Sequence, residues 1–303
     1  MPPESAGVHS GGYAAVHIWW TAVRPRTLSI SATPVLVGTA LAVAEGAAIT
    51  WWAMLAALCC AVLIQVGTNL HNDVVDFERG NDRPDRVGPL RVTAAGWIRP
   101  EAVHRAARFS FLLALGLGCA LVARGGWPIF LAGLTSLCAG WSYSGGPRPI
   151  SHSPLGEVFV LVFFGLVAVT GSHWLQRESL SFNAMLAGWV VGLPAAAVLL
   201  VNNYRDLEDD LRTGRRTLVA LLGRDHARVA YLAMMAAPFA VLLLLAANGL
   251  KGALLGFLAL PFFVSAVRTL YRQSAGAELN RLLAGTAKAG FLLGILLTVG
   301  VSL

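Results

Sequence analysis

Two stretches of this sequence gather the side chains that could do chemistry. NLHNDVVDFERG carries Asn72, Asp73, Asp76 and Arg79, and NNYRDLEDDLRTG carries Asn202, Asp206, Asp210 and Arg212. In the first, Asn72 and Asp76 are four apart; in the second, Asn202, Asp206 and Asp210 are. Helix continued through these residues stacks each set on one face, a turn apart. Like charges at that spacing repel, so something positive must sit against them. A hard divalent cation with oxygen ligands meets that need, and magnesium is usually held by one or two carboxylates plus substrate phosphates. The two clusters therefore suggest two magnesium ions clamping one diphosphate. Arginines interleaved at both (Arg79, Arg83, Arg205, Arg212, Arg215, Arg216) supply donors for phosphate oxygens.

No other constellation competes. The seven His are scattered without an HExxH pair, and the four Cys (Cys59, Cys60, Cys119, Cys138) lie in apolar runs without CxxC spacing. YSGGPRPI, from Tyr143, reads as a tight turn; it could equally place Tyr143 and Arg148 at a pocket edge. His71 reads as a neutral interface residue.

The elements that position these residues follow from composition. Of 303 residues, 56% are hydrophobic and only 13% charged, about half the share typical of soluble domains. Gly numbers 32, an excess that suits close helix packing in lipid. An apolar helix of about 20 residues crosses the hydrocarbon layer. Such stretches fall near 28–44, 51–69, 109–123, 128–143, 156–174, 182–202, 229–247, 250–267 and 289–303. The expected fold is all-α, a polytopic membrane protein with about nine transmembrane helices. Residues 1–23 read as an N-terminal cytoplasmic segment without a removable signal peptide. The rest, 24–303, reads as the membrane domain, with long loops at about 70–108 and 203–228.

Charge orients the bundle. Twenty of the 23 Lys and Arg fall on one side, and only Arg124, Arg177 and Lys251 on the other. The positive-inside rule puts the first side in the cytoplasm. The net charge of +7 thus reports topology, and nucleic acid is not an expected partner. Eleven of the 16 acids also lie in the two long cytoplasmic loops, at the ends of apolar spans. An intramembrane transporter with an Asp-based ion site would keep such acids at mid-span. Trp19, Trp20, Trp51 and Trp52 read as interface anchors.

The ordered stretches NLHNDVVDFERGNDRPDRVGPLR, YSGGPRPISHSPLGEVFVLVFFG and NNYRDLEDDLRTGRRTLVALLG resemble the UbiA superfamily of intramembrane aromatic prenyltransferases. Within it they are most similar to the MenA branch, which acts on 1,4-dihydroxy-2-naphthoate. The resemblance runs from residue 24 to residue 290. It implies a helical bundle around a central cavity open to lipid, in a bacterial cytoplasmic membrane. It also implies a magnesium-dependent transfer of a polyprenyl group from polyprenyl diphosphate to the naphthoate, with loss of carbon dioxide. Other acceptors of the superfamily (4-hydroxybenzoate, homogentisate, haem) remain alternatives. The family's first aspartate motif falls on Asn72, Asp73 and Asp76; its last position is Gly80, and the branch shifts an acid to Asp82, a metal or phosphate candidate. The second motif falls on Asp206 and Asp210. Arg79 and Arg212 are the expected diphosphate donors. Tyr143 is the candidate for cation–π stabilisation of an allylic cation, with an interfacial tyrosine as the alternative. Arg24, Arg86 and Arg91 are candidates for the acceptor's carboxylate and quinol oxygens.

Overall fold

The computed structural model describes residues 12–82, 88, 91–272 and 278–303. Arg83 and Arg86 lie outside the described residues. Among the described residues there is no strand. The helices are α1 (Gly12–Val23), α2 (Leu28–Ala44), α3 (Trp51–Glu78), α4 (Pro100–Ser142) and α5 (Gly156–Arg177). They continue with α6 (Phe182–Arg205), the short α7 (Leu207–Arg212), α8 (Leu218–Ala247), α9 (Lys251–Arg272) and α10 (Glu278–Val301). The chain is a polytopic membrane protein with an all-helical fold.

Among the described residues, seven helices are long and apolar enough to cross a membrane: α3, α4, α5, α6, α8, α9 and α10. The pair α1 and α2, bent by 59°, makes an eighth if it counts as one span. The expected count of nine is not reproduced in this form. The stretches 109–123 and 128–143 merge into α4, whose 43 residues would reach about 65 Å if straight. That is roughly twice the hydrocarbon thickness. The helix instead breaks at Gly126, where φ is 65° and ψ −155°, a conformation essentially reserved for glycine. Pro128, two residues on, has no N–H to carry the earlier ladder forward.

Residues 12–23 are more than a polar leader. Their run AAVHIWWTAV lies in α1, whose Ile18 and Trp19 pack against the buried apolar cluster that includes Leu70 and Val74 of α3. Trp20, Trp51 and Trp52 stay half exposed or more, as amphipathic rings at an interface do.

The helix α6 is the most buried span. Its glycines let α5 lie against its backbone. A Cβ on Gly165 would collide with the Gly188 carbonyl, and one on Gly192 with Leu161 and the Gly165 backbone. Across α5, Val162–Val167 forms a π-helical turn. The bundle is tied at the end away from the acidic loops. There the Glu45 carboxylate accepts from Ser181 Oγ at 2.7 Å and Asn183 Nδ2 at 3.1 Å, and pairs with His173 Nε2 at 2.9 Å.

Candidate active site

A cavity of about 670 Å³ runs between α2, α3, α4, α5 and α6. Its walls are apolar for most of their length. Along α5 they are built from Phe159, Phe163, Val167, Gly171 and Leu175, a stripe with a spacing of four. At about 100° per residue such a stripe drifts around an α-helix by about 40° per step. The π turn absorbs one additional residue, which restores about one step of 100° and keeps the stripe on the cavity. Toward the acidic loops the lining turns polar, with Asn72, Tyr143, Asn202, Arg205 and Asn280, and with Arg24 on the α1 side.

The first expected cluster splits in two. Asp76 is buried at this end and holds two cations at once: Arg91 Nη1 lies 2.5 Å from one carboxylate oxygen and Arg215 Nη2 2.6 Å from the other. Asn81 Nδ2 adds a bond at 3.1 Å. Arg91 also reaches Asp82 at 3.2 Å and donates to the Asn72 carbonyl at 3.2 Å. Burial works against the charge of Arg91, but the Asp76 and Asp82 carboxylates prevail and hold its pKa above the usual guanidinium value. Asp73 does different work. Its two oxygens accept the backbone N–H groups of Val92 and Thr93 at 3.2 and 3.1 Å. The carboxylate expected as a metal ligand thus fastens the following loop to α3.

The second cluster sits on α7 and the end of α6. Arg205 forks onto Asp206, with Nε at 2.6 Å and Nη2 at 2.7 Å, and the same guanidinium donates to Asn202 Oδ1 and Asn280 Oδ1, each at 2.8 Å. With its oxygen engaged, Asn202 has its N–H₂ group to offer a ligand. Asp210 accepts from Thr217 Oγ1 at 3.3 Å and lies 3.7 Å from Arg215 Nη1. Burial, with Asp206 adding to it against the pull of Arg215, pushes the Asp210 carboxyl up to about 7.

Arg215 is therefore the meeting point of the two motifs, with a carboxylate from each loop on its guanidinium. Among the described residues no three acid, His or Cys side chains converge as a self-sufficient metal site. Two carboxylates already drawn to one cation, with phosphate oxygens still to come, are the donor set magnesium commonly uses. The hard-oxygen residues fit that group.

The other expected residues separate. Tyr143 lines the cavity; burial, then the Glu157 and Asp76 carboxylates, raise its phenol above the usual range. Arg79 donates to the Ser144 and Gly146 carbonyls, both at 2.8 Å, so it braces the turn that carries Tyr143. Arg212 is solvent-exposed, 3.7 Å from Asp209, on the outer side of α7. Of the three carboxylate candidates, Arg24 lines the cavity, Arg91 is bound into the Asp76–Asp82 network, and Arg86 lies outside the described residues. His71 is buried and stacks on Trp141 with ring centroids 4.2 Å apart. Arg205 and Arg215 were among the interleaved arginines read as phosphate donors, though Arg79 and Arg212 were preferred to them, and Asn280 was not singled out by the sequence. The position of each arginine within or beside the second motif was a signal; Asn280 carried none, because only the fold brings α10 to α6.

The site is the polar end of an apolar cavity inside a helical membrane bundle, lined there by Asn72 and Asn202. The chain belongs to the UbiA prenyltransferase family, whose model matches residues 31–294. It is 35% identical over 301 residues to the 1,4-dihydroxy-2-naphthoate octaprenyltransferase of Escherichia coli (strain K12), covering 94% of this chain and 95% of that protein. It is 31% identical over 290 residues to the protein of the same description from Bacillus subtilis (strain 168), covering 94% and 92%. Among solved structures, the fold matches a UbiA homolog from Archaeoglobus fulgidus bound to GPP and Mg2+, with TM-score 0.68, 15% identity and 94% and 100% of the two chains covered. It also matches the apo structure of a UbiA homolog from Aeropyrum pernix K1, with TM-score 0.69, 16% identity and 91% and 98% covered.

Proposed function

We propose that this enzyme transfers a polyprenyl group from polyprenyl diphosphate to 1,4-dihydroxy-2-naphthoate, with loss of the carboxyl group as carbon dioxide, giving demethylmenaquinol. The observation that carries the reading is the long apolar cavity whose polar end is lined by Asn72 and Asn202, the asparagines of the two motifs, with Arg215 joining an aspartate of each. The relatives at 35% and 31% identity supply the acceptor. The tail lies among the aromatic and aliphatic side chains of α5, and the diphosphate lies at the polar end. Magnesium, held by Asn72, Asp76, Asp206 and Asp210, supplies charge neutralisation for the departing diphosphate. Arg205 orients the Asn202 and Asn280 carboxamides at that end, and Arg215 and the Asn202 N–H₂ group donate to phosphate oxygens. Tyr143 turns its ring toward the allylic centre, where a desolvated cation–π contact is worth about 2 kcal/mol. Arg24 receives the acceptor's carboxylate as a bidentate partner. The apolar walls exclude water, which would otherwise capture the allylic cation. The acidic loops face the cytoplasm of a bacterial inner membrane, a reading supported by the 20-to-3 division of cations.

The test incubates membranes containing the protein with 1,4-dihydroxy-2-naphthoate, a polyprenyl diphosphate and magnesium. Demethylmenaquinone and stoichiometric pyrophosphate are expected. Prenylation of 4-hydroxybenzoate or homogentisate in preference to the naphthoate would overturn the acceptor assignment.

A further inference from the structure

Arg24 is held in an unusual backbone. Its φ of 56° and ψ of 64° are left-handed, and among the described residues only Glu178 is another non-glycine with positive φ. A side chain in that region is costly and persists where its surroundings over-determine it. The surroundings here are a set of polar contacts, among them the Thr27 N–H bond to the Arg24 carbonyl at 2.9 Å and a Gln65 Nε2 bond to Thr27 Oγ1 at 3.4 Å. Asn69 Nδ2 donates to the Val23 carbonyl at 2.9 Å and to Thr27 Oγ1 at 3.1 Å. Thr27 Oγ1 in turn donates to the Arg24 carbonyl at 2.9 Å. Gln65 Nε2 completes the set, donating to Asn69 Oδ1 at 3.2 Å.

The direction of these bonds is fixed from one end. The Val23 carbonyl can only accept, so the Asn69 nitrogen must face it, and the Asn69 oxygen is left to Gln65. Asn69 is buried. Gln65, Asn69 and Asn72 follow at i, i+4 and i+7 on α3 and all line the cavity. Carboxamides in an apolar span are expensive and by default serve the site. Asn69 sits one helical turn before Asn72, so a single face of α3 carries both the first aspartate motif and the grip on Arg24.

We infer that Asn69 is a positioning residue for acceptor recognition: by gripping the chain on both sides of Arg24 it locks the left-handed turn and sets how the guanidinium meets the acceptor's carboxylate. This rests on the reading of Arg24 given under Proposed function. The same helix face then registers the aromatic ring against the diphosphate.

The experiment compares wild type with Asn69→Leu, Arg24→Gln and the double variant in purified, monodisperse form. It reads KM for 1,4-dihydroxy-2-naphthoate, KM for polyprenyl diphosphate, and the inhibition constant of 1,4-naphthalenediol, which has the same ring without the carboxylate. Asn69→Leu is expected to raise the naphthoate KM about tenfold. It should leave the diphosphate KM and the diol constant within about twofold, and add nothing in the Arg24→Gln background. Thr27→Val removes the hydroxyl that donates to the Arg24 carbonyl and accepts from Asn69, but keeps the Asn69 bond to the Val23 carbonyl and the Thr27 N–H bond to the Arg24 carbonyl; it should show the same pattern more weakly, and serves if Asn69→Leu does not fold. Equal weakening of naphthoate and diol, or full additivity with Arg24→Gln, would overturn the positioning role and mark Asn69 as structural. If Arg24→Gln itself discriminates no carboxylate, the reading of Arg24 falls first, and the inference with it.

Discussion

Two acids three residues apart, Asp73 and Asp76, carry different duties although the sequence presents them as one motif. Asp76 joins Arg91 and Arg215 at the cavity's polar end, whereas Asp73 holds the Val92 and Thr93 amides. Asp76→Asn should therefore lower the rate of pyrophosphate release by at least about a hundredfold, the order seen when a preorganised electrostatic group is lost, with the protein still monodisperse. Asp73→Ala should lose about 2–3 kcal/mol, because it strands two buried amides. A fall in thermal unfolding temperature, with the KM for magnesium unchanged in the folded fraction, would show it. Equal loss of magnesium affinity in both variants would contradict the division. The carboxylate positions were legible because four-residue spacing is a local property. The duty of Asp73 was not, since its partners lie about twenty residues on and are placed by tertiary folding. Arg212 and Arg215 show the same limit: both follow the second motif, and only the packing of α7 decides that Arg215 turns inward and Arg212 outward.

At the scale of elements, apolar runs were the strongest signal, and each of the nine stretches read from the sequence is helical in the structure. What the runs could not give was how their ends join. ARGGWP held the clue to the break in α4, and the structure places it at Gly126. Gly126→Ala forces a side chain into a region that only glycine occupies readily, at a cost of about 1–3 kcal/mol. It should lower the unfolding temperature while leaving the substrate KM values near wild type, because Gly126 stands far from the polar end. The π turn of α5 was invisible to periodicity, since its effect is to preserve a four-residue stripe that a regular helix would rotate away. The contact of α5 with α6 is the less tolerant joint. Gly192→Val adds bulk against Leu161 and the Gly165 backbone, and overpacking of that kind costs about 1–3 kcal/mol. Displacement of the Phe163 wall should appear as a raised KM for the longest polyprenyl diphosphates before the short ones.

At the scale of the molecule, the uneven distribution of cations supports the proposed orientation, which can be measured directly. In a cysteine-free background, a membrane-impermeant maleimide applied to intact cells should label Leu180→Cys, at the exposed turn before α6, and reach Glu101→Cys only after permeabilisation. The reverse pattern would invert the proposed topology. The carboxylates at the polar end are already neutralised by Arg91, Arg205 and Arg215 from within the chain. Architecture and activity are thus separable here. A protein whose acids depended on a bound ion would come apart when the ion is stripped, as small zinc domains do. This one should lose turnover in a chelator yet keep its helical content and unfolding temperature, and recover fully on readdition of magnesium. In a cell, a fall in free divalent ion would leave the enzyme idle and intact, ready to resume without new synthesis.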